Sequence, residues 1–474
     1  MQICTTFYSL LNFKFINMVK RRDFIKKGLA GTAGLAIGGM GFSSRSYASI
    51  IGSNDRLNVA VVGIRGRGRT HIRNFCNLKD IRNVRVLTLC DVDEQFFPEN
   101  VNNVQNLTGI EPKKETDMRR IFEDRDIHAV SFAATNHWHA LGTIWACQAG
   151  KHVFVEKPGM HNIFEGRKMI DAARKYDVRV QMCYQTRSVQ NVQKAIKFIH
   201  EGGIGDVYMA RGLCIKPRNS FGIAYDSNPP DSLHYDMWLG PAAYQPYNEK
   251  KVHYNWHWHW NTGNGDIGNQ GPHQFDIARW GLNKHVHPVK VYSSGGIYGW
   301  GPDECSQETP NTQTATFNYP DGKILEFEVR GRSSNSEGRM NLRVGNIFYG
   351  TEGWLELTGS RWNAFRDNED KPFAGSDDLE ESEPEDPTFM RAISGSEHWV
   401  NFIDAIRSGK NSDLVCDIRE GFYSSALPLL ANISYRLNRS LSFMGEFEKF
   451  ADDPEANIML SRIYRKPYVV PSSV

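Results

Sequence analysis

Five apolar runs between residues 57 and 184 share one rhythm. LNVAVVG (57–63), VRVLTLCDVD (84–93), HAVSFAA (128–134), HVFVE (152–156) and VRVQMCY (178–184) are short and nearly continuous in apolar side chains. Such runs do not alternate, as strands buried on both faces do not. Between the last three lie two segments with helical spacing. HALGTIWACQAG is the first, and FEGRKMIDAARKYD is the second, with Met169, Ile170 and Ala173 on one face. Continuous strands separated by helices predict an α/β fold: a doubly wound parallel sheet with right-handed crossovers.

The pattern changes near residue 189. A helical segment, NVQKAIKFIHEG, leads into GDVYMARGLC, which starts to alternate. Residues 216–262 are rich in Pro, Tyr, Trp, His and Asn and show little helical period. KVYSSGGIYG, TQTATFNYPDGKILEFEVRG and NIFYGTEGWLELTG then alternate as antiparallel strands do, with Asp321 and Gly322 at a hairpin turn. SDDLEESEPEDP (376–387) reads as a solvated acidic loop. Two helices follow, SEHWVNFIDAIRSG and REGFYSSALPLLANISYRLNRS. The expected organisation is a dinucleotide-binding Rossmann domain over 55–185 and a second α/β domain over 186–460, built on a large, mostly antiparallel sheet.

Charge changes the reading of the first 48 residues. The chain of 474 residues carries a formal net charge of +2, but residues 1–48 hold seven Lys or Arg and one Asp. The remainder is net acidic, which gives nucleic-acid binding no basic stripe to use. KRRDFIKKG precedes a Gly/Ala-rich run, LAGTAGLAIGGMGF, and SYA (46–48) offers small residues at a cleavage site. This is the layout of an export signal. Arg21 and Arg22, followed by Asp23, Phe24 and Lys26, resemble a twin-arginine signal. Residues 1–48 are therefore expected to direct export, to the periplasm, with no stable membrane span after processing. Seven cysteines follow residue 48 with no C-x-x-C spacing, so neither a disulfide framework nor a cysteine metal site is expected.

Candidate chemistry gathers at strand ends. After the first strand comes GIRGRGR, with Gly63, Gly66 and Gly68 where a chain would turn sharply against a pyrophosphate. Asp91 ends the second strand, placed to accept from ribose hydroxyls and to repel a 2′-phosphate. NAD is thus favoured over NADP, although Arg65, Arg67 and Arg69 stand close enough to reach a phosphate or to remain solvated. The third strand runs into ATNHWHA, where Thr135 and Asn136 are candidates for ribose or nicotinamide contact. His137 and His139 stand for substrate contact or for capping and packing. VFVEKPGM (153–160) sets Glu156 and Lys157 at the carboxyl edge of the sheet, where open α/β folds bind ligands.

The stretch 253–282, HYNWHWHWNTGNGDIGNQGPHQFDIARWGL, is unlike the rest. At strand period His257 and His259 would share one face, and Trp256, Trp258 and Trp260 the other. Two histidines lack a third metal ligand, so no metal is expected. An aromatic wall beside a polar pocket fits better, since indoles pack on the C–H faces of sugars. Trp258 and His257 become candidate substrate contacts, and His273 falls in the first turn of the helix that follows.

The glycine turn, the Glu156–Lys157–Pro158 triplet and GNQGPHQFD (268–276) together resemble the Gfo/Idh/MocA oxidoreductases, over roughly residues 57–440. The resemblance implies an N-terminal Rossmann domain, a C-terminal α/β domain whose sheet often builds homo-oligomers, and sugar or polyol substrates. It implies that Lys157 stands beside the nicotinamide and the reacting hydroxyl, and that His273 is the acid/base of a D-x-G-x-H pattern. Here the aspartate position is Asn269, an amide that does not exchange protons at neutral pH. Asp266, three residues earlier, is a candidate replacement. Glu156 is expected to orient or neutralise Lys157 beside the cofactor. Three activities stay open: an NAD-dependent sugar or polyol oxidoreductase; an NAD-dependent glycosidase that oxidises, eliminates, hydrates and reduces with recycled NAD; and a silent sugar-binding protein.

Overall fold

The expected strands form, and each ends where its apolar run gives out. The structure, a computed structural model, describes residues 55–367, 369–376 and 395–474. The export segment and most of the acidic loop lie outside the described residues. The first sheet holds β1 (Leu57–Val62), β2 (Val84–Cys90), β3 (Lys113–Glu115), β4 (Ala129–Phe132), β5 (His152–Val155) and β6 (Val180–Met182), in the order β3-β2-β1-β4-β5-β6. All its pairings are parallel. The order reverses direction beside β1, which creates the crevice where such sheets bind nucleotides.

Ten further strands make the second sheet: β7 (Val207–Ile215), β8 (Lys290–Gly296), β9 (Thr312–Asn318), β10 (Ile324–Arg330), β11 (Val344–Gly350), β12 (Gly353–Leu357), β13 (Trp362–Phe365), β14 (Ala374–Gly375), β15 (Leu441–Met444) and β16 (Lys449–Phe450). Their order is β14-β13-β12-β11-β7-β10-β9-β8-β15-β16. The sheet is antiparallel except where β7 lies parallel to β10. The β9–β10 hairpin turns at Gly322, whose φ of 83° is left-handed.

Six helices matter for the site: α1 (Arg67–Asn77), α2 (Asn136–Gln148), α3 (Ile163–Lys175), α4 (Gly271–Gly281), α5 (Glu397–Ser408) and α6 (Ile418–Leu437). In β1, Val59 and Val61 face one layer, and Ala60 and Val62 the other. The layer under Val59 and Val61 is completed from far along the chain. Trp399, Phe402 and Ile403 of α5 pack with Phe75 of α1 and Phe154 of β5, and the Phe402 and Phe154 rings lie 5.3 Å apart. The antiparallel sheet lays β10 against α4, where Phe275 and Phe327 are 4.3 Å apart. Elements from residues 395–437 therefore lock the first sheet to the second.

Phe402→Ala should cost about 3–5 kcal/mol, the usual range for emptying a buried phenylalanine site. The shift of the urea midpoint at constant m-value measures it.

Candidate active site

The crevice at the carboxyl edge of the first sheet is walled on its far side by residues of the second half. It encloses about 390 Å³. Gly63, Gly66, Asp91, Thr135, Glu156, Lys157, His257, Asn269 and His273 all line it. Residues singled out from two distant parts of the sequence thus share one cavity.

Its nucleotide end is shaped by glycine. Gly63 has φ of 80°, and a Cβ there would lie 2.7 Å from the Ala133 carbonyl carbon. At Gly68 a Cβ would lie 1.8 Å from the Gly63 oxygen, so this glycine lets α1 close onto the turn and does not itself line the cavity. Gly66 has φ of 44° with open space where a side chain would project. It is also the N-cap of α1 and supplies no side-chain cap. The Gly68 and Arg69 amides turn back onto the Arg65 and Gly66 carbonyls at 2.8 and 3.2 Å, and the dipole of this helix N-terminus, facing open space at Gly66, suits a pyrophosphate. Asp91 is held by the Ile64 N–H (2.9 Å) and the Asp93 N–H (3.0 Å). Burial pushes its carboxyl up to about 6, against the pull of those two donors.

Glu156 does not neutralise Lys157 in the way expected. Its Oε1 accepts from Arg67 Nε at 2.5 Å and lies 3.1 Å from His71 Nε2, while Oε2 accepts the Lys157 backbone N–H at 3.1 Å. Arg67 also donates to Cys183 Sγ at 3.6 Å. Arg67 and His71 hold the buried Glu156 carboxyl well below its usual range, even though burial opposes this. Of the three arginines in the glycine turn, Arg67 is committed to Glu156, Arg69 pairs with Glu99, and Arg65 lines the cavity. His71, Glu156 and Cys183 converge within 4.8 Å, a metal-like set that the spacing did not suggest. The Arg67 guanidinium reaches both Glu156 and Cys183, a positive charge where a cation would have to sit.

Lys157 turns to the second half of the chain. Its Nζ donates to the Asn269 carbonyl oxygen at 2.6 Å. Burial lowers its pKa, opposed by Glu156 and assisted by Arg67. His273 lies in the first turn of α4, with the Tyr184 ring edge-on to it at 6.2 Å. Burial, then the Lys157 charge, push its imidazole down to about 3, and its Nδ1 has no hydrogen-bond partner among the described residues. At neutral pH this is a neutral imidazole lining the same cavity as the amine, with Nδ1 buried and unpaired.

Several expectations change. Residues His253–Trp258 form a 3-10 helix, not a strand. His257 stacks on Trp256, with centroids 3.6 Å apart, and both line the cavity with Tyr254. Trp258 is buried outside the cavity lining, against Phe221 and under the Arg218 guanidinium. Asp266 is not free to replace a catalytic carboxylate, because Arg218 grips both its oxygens at 2.7 Å. Asn136 starts α2 and is buried away from the lining. His137 is held between the Thr262 and Trp238 carbonyls and packs outside the lining, whereas His139, held between those of Pro158 and Ala134, still lines the cavity. Sequence reasoning missed Arg119, Trp138, Gln185 and Tyr468 in the lining. Only Trp138, beside the third strand end, carried a positional signal.

Comparison with known proteins agrees with this geometry. Residues 57–184 match the Gfo/Idh/MocA model described as an oxidoreductase family, NAD-binding Rossmann fold. Residues 223–333 and 387–470 match its companion, the C-terminal alpha/beta domain. Levoglucosan dehydrogenase of Pseudarthrobacter phenanthrenivorans is 27% identical over 321 residues, 64% of this chain and 74% of that protein. A glycosyl hydrolase family 109 protein of Shewanella pealeana is 24% identical over 205 residues, 40% of this chain. The match spans 44% of that relative, less than half its length. The WlbA dehydrogenase of Bordetella pertussis, solved with NADH and UDP-GlcNAcA, has a TM-score of 0.59 at 18% identity, covering 82% of this chain and 99% of that one. The cofactor of this fold is NAD.

Arg67→Ala leaves a buried carboxylate short of its main partner and should cost roughly 3 kcal/mol at neutral pH. Because the pair holds Glu156 below its ordinary 4.5, that contribution is present above about pH 4.5 and is lost as pH falls. Urea unfolding of wild type and variant should therefore differ at pH 7 and converge in acid.

Proposed function

Because this chain belongs to the Gfo/Idh/MocA family of NAD-binding oxidoreductases, we propose that it oxidises a secondary hydroxyl of a sugar or polyol. The observation that carries the reading is the meeting of Lys157 and His273 in one cavity whose other end holds the glycine turn and Asp91. Bound NAD supplies the hydride acceptor. Lys157 Nζ, already donating to the Asn269 oxygen, donates to the substrate oxygen as its charge grows. His273, neutral and lining the cavity, takes the hydroxyl proton. Its low basicity rises as negative charge develops on that oxygen. The lowered pKa of Lys157 also allows the amine to serve as acceptor, in which case the imidazole holds the oxygen. Trp256 and His257 offer flat faces to the ring of a carbohydrate.

The 27% identity to levoglucosan dehydrogenase makes an anhydrosugar the first substrate to test. The match to a glycosyl hydrolase family 109 protein supports a second reading, in which the same groups oxidise, eliminate, hydrate and reduce a glycoside with no net redox change. Purified protein, checked for copurified NAD, separates them. Net NADH from free sugars supports the first, and aglycone release without NADH supports the second. Sugar binding without turnover identifies a silent binding protein. We also propose export through the Arg21 and Arg22 segment. A reporter fused to residues 1–48 should remain in the cytoplasm when both arginines become lysine.

Lys157→Ala should lower kcat by roughly 10²–10³-fold while NAD stays bound. Retained turnover would remove Lys157 from the chemistry. Asp91→Ala should weaken NAD more than NADP, and the opposite order would overturn the ribose assignment. Only the ionised Asp91 accepts from both ribose hydroxyls. Wild-type affinity for NAD should therefore fall as pH drops through about 6, and titrations from pH 5 to 8 should show that dependence lost in Asp91→Asn.

A further inference from the structure

Tyr468 lines the cavity from a segment that neither sheet contains. After the short helix Pro454–Ile458, the last residues run without regular structure back across the first sheet. They are tied down along their length. The Leu460 carbonyl accepts from Phe164 N–H at 3.0 Å, Arg462 donates to the Asn261 carbonyl at 2.9 Å, and Tyr464 Oη donates to Glu165 at 3.2 Å. Arg465 Nε donates to the Gly240 carbonyl at 3.0 Å and its guanidinium pairs with Asp236. The segment thus bridges α3 of the first half and the loop 236–261 of the second.

The place where Tyr468 lands is the informative part. Its ring meets Trp138, the third residue of α2, edge-on at 5.2 Å. Arg119, just beyond β3, stands 6.0 Å over the same ring. Arg119 follows β3, whose Glu115 carbonyl accepts from the Asp91 N–H at 3.2 Å, so it stands on the Asp91 side of the cavity, while Trp138 closes the ring from the end of β4. Trp145 packs on Trp138 at 6.0 Å, and Met118 lines the same end. Arg465 stands over the Tyr468 ring as well, at 5.1 Å, so this is an aromatic slot flanked by two guanidinium groups, suited to a purine ring beside the ribose that Asp91 would hold.

The geometry points to Tyr468 as a further cofactor-binding residue, a wall for the adenosine half of NAD, carried on a C-terminal strap that must shift for the cofactor to exchange. The inference rests on the NAD-binding reading, and its test keeps the two apart. ADP-ribose and nicotinamide mononucleotide probe the two ends of the site separately. The purified protein freed of nucleotide should bind ADP-ribose, and Tyr468→Ala should weaken that binding roughly tenfold, as loss of an aromatic platform does. Affinity for nicotinamide mononucleotide should not change. The dissociation rate of NADH, followed by tryptophan energy transfer on chasing with NAD, should rise in Tyr468→Ala and also in Arg465→Ala, which unties the strap. Tyr468→Phe should behave as wild type in each assay. If alanine prevents folding, Tyr468→Leu keeps the buried volume without the flat ring and should show the same loss. Unchanged ADP-ribose affinity in a folded variant overturns the proposal, as does an equal loss for both probes. Failure of the wild-type protein to bind either probe overturns the NAD reading itself.

Discussion

A buried carboxylate governs the geometry of this site. Removing a charge from water costs several kcal/mol unless partners replace the lost hydration. At Glu156 those partners are Arg67 and His71, which stand four residues apart on one face of α1, and the backbone N–H of Lys157. Satisfying one carboxylate therefore fixes where α1 begins relative to where β5 ends. The glycine turn sits at the first of these points and Lys157 at the second. The distance between the two halves of the cavity on the first sheet is set by a single network, into which Cys183 at the end of β6 is also drawn.

With Glu156 so engaged, the Lys157 side chain has no carboxylate paired with it among the described residues and donates to a neutral carbonyl. A carbonyl holds an ammonium less firmly than a carboxylate does. The asparagine at 269, where the family pattern carries aspartate, withholds another negative charge from the same place. Burial then acts on Lys157 and His273 in the same direction, because each is charged only when protonated. Each group therefore holds a proton less firmly than it would in water. In the glycosidase reading oxidation would come first because the ketone it creates acidifies the neighbouring C–H that elimination must remove.

Much of the frame was legible because burial on two faces leaves a continuous apolar run, and β1, β2, β4, β5 and β6 all announce themselves so. The Asp321–Gly322 turn and the alternation of β9 and β10 were equally local signals. The rest depended on partners far away in sequence. WHWHW satisfies a strand period, yet the chain folds back on itself there. A Cβ at Gly263 would come 2.3 Å from the His257 carbonyl oxygen and 2.4 Å from that of Trp256. Asp266 looked available until Arg218, forty-eight residues upstream, is seen to hold it. The apolar stripe of α5 says that the helix is buried but not that it lies under the first sheet. Nothing near Tyr468 signals a nucleotide, since its meaning comes from the Trp138 and Arg119 it reaches.

Those long-range closures have a chemical consequence. The segment 230–262 docks onto the loop after β2, where Asp93 forms a bridge with Leu233, accepts from the Ser232 hydroxyl at 2.9 Å and pairs with His253 at 3.4 Å. The second half thereby roofs a crevice that the first sheet alone would leave open to water. Charges inside such a roof act through a weaker dielectric than charges at an open strand edge. The displaced pKa values of Lys157 and His273 are products of that roof, because desolvation is the leading cause in each. A Rossmann sheet with the same glycine turn and the same strand-end lysine, but without residues 230–282 above it, would hold an ordinary solvated ammonium. The lowered basicity of the lysine is therefore a property of the assembled halves and not of the triplet in which it lies.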